Sequence, residues 1–200
     1  MVKKYPIVIV VLFILLAFFF IFFIKILLSN KDYSYDLIQV DYKTSKIIHI
    51  KNKLPVSDKI GKSFTGEGTS DGIQGYIELS LTNPNTVSVS YDIILTEDLN
   101  LESSRINSNY IKIYLTDNND IPFDGFNSRK IPTFHELGVL KDKPESRLLY
   151  RGYLNPEEVK NIKLRVWLSD SYSISASSSS KEKEFYAEIK VRDNRRIYEG

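Results

Sequence analysis

The chain has 200 residues, with 27 Lys and Arg against 25 Asp and Glu, and a formal net charge of +2. Lys3, Lys4 and Lys25 belong to the region of the apolar run and no acid occurs before Asp32, so the remainder holds 24 basic and 25 acidic residues. That balance carries no electrostatic footprint for nucleic acid. The absence of cysteine excludes disulfides, thiolate metal sites and a cysteine nucleophile.

Tyr5 to Ile24 reads YPIVIVVLFILLAFFFIFFI and holds no charge. A run of this length matches the ~20 residues a helix needs to cross a bilayer core. A cleaved signal peptide has a shorter apolar region and a small-residue cleavage site. Here Ala17 is the one small residue, deep inside the run, and Phe18, Phe19, Phe20, Phe22 and Phe23 make its end bulky. The expectation is an uncleaved signal anchor, with Lys25 placing its amine at the headgroups. The short N-terminal flank and long C-terminal part put the N-terminus inside and the domain outside. The expected organisation is a cytoplasmic flank at 1–4, a transmembrane helix at 5–28, a stalk at 29–36, an extracytoplasmic β-sandwich at 37–192 and a tail at 193–200.

Beyond the stalk, period-2 alternation marks strands. Ile38, Val40 and Tyr42 alternate with polar neighbours, and Ile47 to Ile50 is a second short candidate. Five of the nine glycines fall between Gly61 and Gly75, a long loop with room for a short strand around Ile60 to Phe64. Ile77, Leu79 and Leu81, then Val87, Val89, Tyr91, Ile93 and Leu95, flank the turn Asn83-Pro84-Asn85-Thr86 and predict a hairpin or sheet-to-sheet corner. Residues 97–108 read as a helical turn or a loop. Ile111, Ile113 and Leu115 form the next strand, ended by Asp117-Asn118-Asn119-Asp120.

The Pro-punctuated stretch 121–146 is irregular, with a short helix at Phe134 to Leu140. Its apolar residues predict an ordered cover over the sandwich, whereas 61–75 is the more mobile loop. Such long connections are usually functional or disordered. Leu148 to Leu154, Ile162 to Leu168 and Phe185 to Val191 complete about eight strands. The fold class is therefore all-β, an immunoglobulin-like antiparallel sandwich behind one N-terminal helix. Ile77, Leu79, Leu81, Val89, Tyr91, Ile93, Ile111, Ile113, Leu164 and Val166 are the expected core. Glu78, Ser80, Asp92, Lys112, Lys163 and Arg165 are expected to face solvent.

Catalytic signals are weak. Gly61-Lys62-Ser63 lacks the earlier glycine of a phosphate loop, because Val56 stands there. His135-Glu136 begins like a zinc-protease helix, but the second histidine position is Val139. Asp117 to Asp124 has loop-spaced oxygen ligands, with Ile121 and Pro122 breaking the EF-hand pattern; an Asx-rich turn is preferred to a calcium site. No cofactor is expected. Trp167 falls on the polar phase of its strand, either as an exposed contact or under a loop. With Phe123, Phe126 and Phe134 it forms the candidate interaction surface.

The segments ELSLTNPNTVSVSYDIILTED and RLLYRGYLNPEEVKNIKLRVWLSD resemble the strand–Asn-Pro-Asn–strand hairpin and the later strand ending in Trp-Leu of exported Gram-positive sandwich proteins. These include the TasA/camelysin biofilm-fibre group. The chain as a whole is more similar to uncharacterised single-pass membrane proteins of low-GC Firmicutes. The TasA likeness implies a fibre or matrix subunit; the retained anchor departs from it, since a tethered subunit is not released into a fibre. The single-pass likeness implies location and no activity. The favoured expectation is a non-enzymatic surface module for binding, scaffolding or adhesion. Its partners would be membrane lipid through the anchor and a protein or cell-wall component, and not nucleic acid. The alternatives are the TasA-type subunit and an envelope hydrolase using Asp or Glu with His135.

Overall fold

Alternating apolar residues form strands here because each strand buries one face against a common core. The computed structural model describes residues 15–20, 38–51, 53–65, 75–100, 104–141, 143–172 and 183–193. The chain divides into two units, Met1–Asp36 and Leu37–Gly200.

In the first unit, residues 15–20 are helical. Leu15, Leu16, Phe18, Phe19 and Phe20 are 63–73% exposed. Among the described residues no helix is long and apolar enough to cross a membrane. Tyr5, Ile24 and Lys25, with most of the predicted span, lie outside the described residues.

The second unit is all-β. Its strands are β1 (Gln39–Tyr42), β2 (Ile47–Lys51), β3 (Gly75–Thr82), β4 (Val89–Glu97) and β5 (Ser104–Arg105), followed by β6 (Ile111–Asp117), β7 (Gly138–Leu140), β8 (Lys143–Leu154), β9 (Val159–Leu168) and β10 (Lys183–Asp193). One sheet has the order β1-β3-β9-β6 and the other β2-β10-β4-β8-β7, with β5 beside β10. All pairings are antiparallel except the two-residue contact of β5 with β10. One hydrophobic cluster draws on both sheets. All ten expected core residues are buried in it.

The connections differ from expectation in three places. The candidate strand at Ile60 to Phe64 is instead a five-residue helix, α1 (Asp58–Lys62). Asp58 in its first turn and Lys59 and Lys62 in its last suit the helix dipole. The predicted helical turn in 97–108 gives β5 and, from Ser108 to Tyr110, a 3-10 turn. The predicted helix at Phe134 to Leu140 is a 3-10 turn over Phe134–Glu136 that runs into β7. Thr133 and Glu136 cap that turn reciprocally, which fixes its N-terminal end.

The stretch 121–146 is an ordered cover in its described residues. Pro122 bridges to Thr116 and Thr133 to Lys112, so the segment lies along the free edge of β6 before crossing to β7. Phe126, Ile131 and Phe134 are buried. Arg147, itself buried, donates from Nε to the Phe134 carbonyl at 3.0 Å and from Nη1 to the Pro144 carbonyl at 2.5 Å. Of the loop 61–75, residues 66–74 lie outside the described residues.

Two residues expected in solvent are buried on the outer sheet faces. Asp92 is wholly buried. It stands opposite Arg151 on β8 and Arg192 on β10. Arg151 donates from Nε at 2.7 Å and from Nη2 at 3.1 Å, and Arg192 from Nη2 at 2.6 Å. The two arginines lie over the carboxylate while their own side chains stay about half exposed. Arg165 is also buried. It donates from Nε to the Phe64 carbonyl at 2.6 Å, to Thr116 Oγ1 at 3.0 Å and to Asp120 Oδ1 at 2.6 Å. A cover of loop and turn stands where strand alternation alone implies water.

Candidate functional site

The sandwich has two ends of contrasting chemistry. Strand register places them. Gln39 pairs with Thr82 and Thr82 with Val159, so β1 begins at the end where β3 stops and β9 starts. In the other sheet Asp193 pairs with Tyr91 and Tyr91 with Gly152, so β10 finishes at this same end.

Two turns close this end, and one side chain ties them. Asn83 is fully buried. Its Nδ2 donates to the carbonyls of Val87 at 2.9 Å, Leu154 at 3.2 Å and Asn155 at 2.9 Å. Its Oδ1 accepts from the backbone N–H of Asn85 at 3.0 Å and from Asn85 Nδ2 at 2.9 Å. Its backbone N–H donates to the Glu158 carbonyl at 3.0 Å. The amide therefore uses both its donor and its acceptor sides, as burial demands. Across it, Glu158 Oε2 accepts from Asn155 N at 2.8 Å and from Asn155 Nδ2 at 3.0 Å. Glu157 takes φ 58° in the second turn, a left-handed position where Gly or Asn is easier. On this fixed frame Val87, Tyr153 and Val159 are 42%, 70% and 58% exposed.

The opposite end is acidic. Thr96 to Asn100, Glu145, Tyr186 and Glu188 line an open cleft of about 470 Å³. A smaller cleft of about 260 Å³ adjoins it through Glu97, with Arg105 to Ser108 on its wall. Burial pushes the Glu97 carboxyl above its ordinary value, while Arg105 and Arg147 pull the other way. Arg105 Nη1 stands 3.7 Å from its Oε1. Glu188 is held below its ordinary value by hydrogen bonds from Lys46 and then Lys190.

The proposed aromatic surface is not presented to solvent. Trp167 is fully buried and packs under α1. A methyl group added at Gly61 would stand 2.3 Å from its ring, so only glycine lets the helix approach so closely. Phe126 and Phe134 also belong to the core. Phe134 meets Phe185 edge-on at 5.4 Å. Phe123 is half-buried, 4.5 Å from the Tyr150 ring, with Lys160 Nζ 5.4 Å above it. The four are packing residues, of which Phe123 alone reaches the surface. Trp167 takes the covered one of its two alternatives, and burial of Phe126 and Phe134 corrects the reading of them as direct contacts.

His135 is exposed on the 3-10 turn. His49 Nε2 lies 2.6 Å from Glu184 Oε2 on the neighbouring strand. Asp117 Oδ1 accepts from the backbone N–H groups of Asn119 at 2.8 Å and Ile121 at 2.9 Å, as an Asx turn does. Asp120 Oδ1 accepts from Arg165 and, at 3.3 Å, from Lys163. Among the described residues no group of three or more His, Asp and Glu is gathered to hold a metal ion.

The sequence signalled Asn83 only as a turn residue. The doubled asparagine around Pro84, facing a second Asn-Pro turn at Asn155, was the available hint of the tie. The fold defines the class, an all-β protein of two facing sheets. No family model matches the sequence, and no curated protein or solved structure matches it significantly.

Proposed function

We propose that the chain is a non-enzymatic, membrane-anchored β-sandwich whose globular unit lies outside the cytoplasm as a binding, scaffold or adhesion module. The observation that carries this is the five large apolar side chains exposed within the helical residues 15–20. They sit in a run of twenty residues without a charge. Water penalises such exposure and hydrocarbon rewards it, and a helix satisfies its own backbone there. An immunoglobulin-like reading is supported by the order β1-β3-β9-β6, which follows A-B-E-D, and by β10 beside β4, as F lies beside C. β8 departs from that plan, because it follows β6 in the chain yet pairs with β4. The acid-lined cleft is the surface best suited to a soluble or wall-borne partner carrying cations.

The test is extraction of full-length protein from membranes with alkaline carbonate. The unaltered chain should stay in the membrane pellet. The double variant Leu16→Arg and Phe19→Arg should leave it, since each Arg costs about 2.5–3.5 kcal/mol near the middle of a span. Recovery of the unaltered chain in the supernatant would end the reading.

A further inference from the structure

We infer that the end of the sandwich tied by Asn83 is a lipid-contacting surface that rests on the headgroups of the bilayer. The inference builds on the membrane anchoring proposed above and adds which part of the globular unit meets lipid. Three observations carry it.

The first is the entry of the chain. β1 starts at Gln39, and its register with Thr82 and Val159 puts that start at the tied end. The apolar run ends at Ile24 and the stretch before β1 includes KDYSYD at 31–36. The chain therefore joins the globular unit at the tied end. β10 finishes at the same end.

The second is the chemistry on view. Among the described residues, Val87, Tyr153 and Val159 are large exposed apolar side chains of this end. Beside Tyr153 stand Arg151 and Arg192, each about half exposed. The acids nearby are in part turned inward: Asp92 lies under both arginines, and Glu158 is bound by Asn155. Glu157 remains exposed in the turn, and the half-buried Asp193 ends β10 at the same end. An aromatic ring with half-free guanidinium groups suits the phosphate and glycerol layer, where such residues bury a stem and keep a polar tip wet.

The third is rigidity. Asn83 bonds to both turns, so Val87 and the strand ends carrying Tyr153 and Val159 are presented without ordering on contact. A preformed surface loses less entropy when it docks. The other end suits anionic lipid less well, because Asp98 and Glu145 line its cleft with Glu97 and Glu188, although Arg105, Lys46 and Lys190 stand beside the latter two. Val89 and Glu97 bound β4, so the two ends stand roughly 27 Å apart along that strand.

The absence of native cysteine makes single-site labelling unambiguous. Val87→Cys, Tyr153→Cys and Leu99→Cys are made in the full chain, the last at the acidic end, where Leu99 is exposed. Each carries an environment-sensitive nitrobenzoxadiazole label and is reconstituted into vesicles of phosphatidylethanolamine and phosphatidylglycerol, with and without acyl-brominated lipid. Labels at 87 and 153 should emit further to the blue than the label at 99 and be quenched several-fold more by brominated lipid. Equal, weak quenching at all three sites, in protein that stays in the vesicles through carbonate, would overturn this inference and leave anchoring intact. Protein released by carbonate would overturn the anchoring itself, and the inference with it. Repeating the series with phosphatidylcholine separates the sources of contact. Persistence of the quenching assigns it to the apolar residues, and its loss assigns it to the arginines.

Discussion

The two ends of the sandwich solve the same problem in opposite ways. Every strand must turn at its ends, and each turn leaves backbone groups to satisfy. At the tied end one buried amide, Asn83, satisfies carbonyls from two turns at once. At the acidic end Glu97, Asp98, Glu145 and Glu188 line an open cleft. The first arrangement yields a fixed surface and the second an accessible, charged one. Polar groups therefore serve opposite purposes within one domain: held inward they specify shape, and turned outward they offer charge to a partner.

The sharpest way to break this contrast is Asn83→Ala. It removes the Nδ2 donor from the carbonyls of Val87, Leu154 and Asn155 and the Oδ1 acceptor from Asn85, at a fully buried position. Each such loss costs about 1–3 kcal/mol, so denaturant unfolding should show a loss of roughly 2–4 kcal/mol after partial rescue by water. Glu145→Gln at the acidic end should change stability by less than about 0.5 kcal/mol, as surface substitutions usually do. Equal effects at the two sites would erase the distinction.

Gly61→Val is next in size. The side chain it adds collides with the Trp167 ring, which is fully buried. Overpacking of this kind costs about 1–3 kcal/mol. Trp167 is the chain's single tryptophan, so its emission reports the outcome directly. A red shift in the folded state is expected as α1 lifts from the ring, and unchanged emission and stability would contradict the close approach.

Two carboxylates give pH effects of opposite sign. Glu97 is raised by burial, so the folded state binds its proton more tightly than the unfolded chain does. Its charged form costs stability at neutral pH. Falling pH removes that cost as Glu97 protonates, from above the unfolded value of 4.5 downward. Glu97→Gln should accordingly be at least as stable as the parent at pH 7. Glu136 is lowered to about 2 by the hydrogen bond from Lys130 first and the Thr133 backbone next. Its contribution is present above 4.5 and lost as pH falls toward 2. Exposure to water screens it, so this effect is the smaller. Thermal melts of the parent and of Glu136→Gln should converge as pH drops from 5 to about 2. A constant gap would contradict the assignment.

The inner faces of the strands were legible because period-2 alternation is a direct record of burial. Ile77, Leu79 and Leu81 on β3 and Leu164 and Val166 on β9 are all core. The outer faces were not legible. Asp92, Arg165 and Trp167 all lie on the polar phase, and all are buried by a second layer that alternation does not encode. For Asp92 that layer is two arginines on neighbouring strands, and register is invisible in one sequence. For Trp167 it is α1, whose five residues are too few to show a helical period. Ser57-Asp58 at its start was the available sign. β7, with three residues, was below the same threshold. The tie at Asn83 was hidden because a turn asparagine and a buried one look alike in sequence.

Membrane attachment with the globular unit outside is the central claim, and labelling of Asp98→Cys tests it most directly. The full-length variant, otherwise free of cysteine, is placed in sealed right-side-out membrane vesicles and treated with a membrane-impermeant maleimide. The account predicts complete labelling before permeabilisation, with the protein retained in the membrane pellet. Labelling that appears only after the vesicles are opened would contradict it.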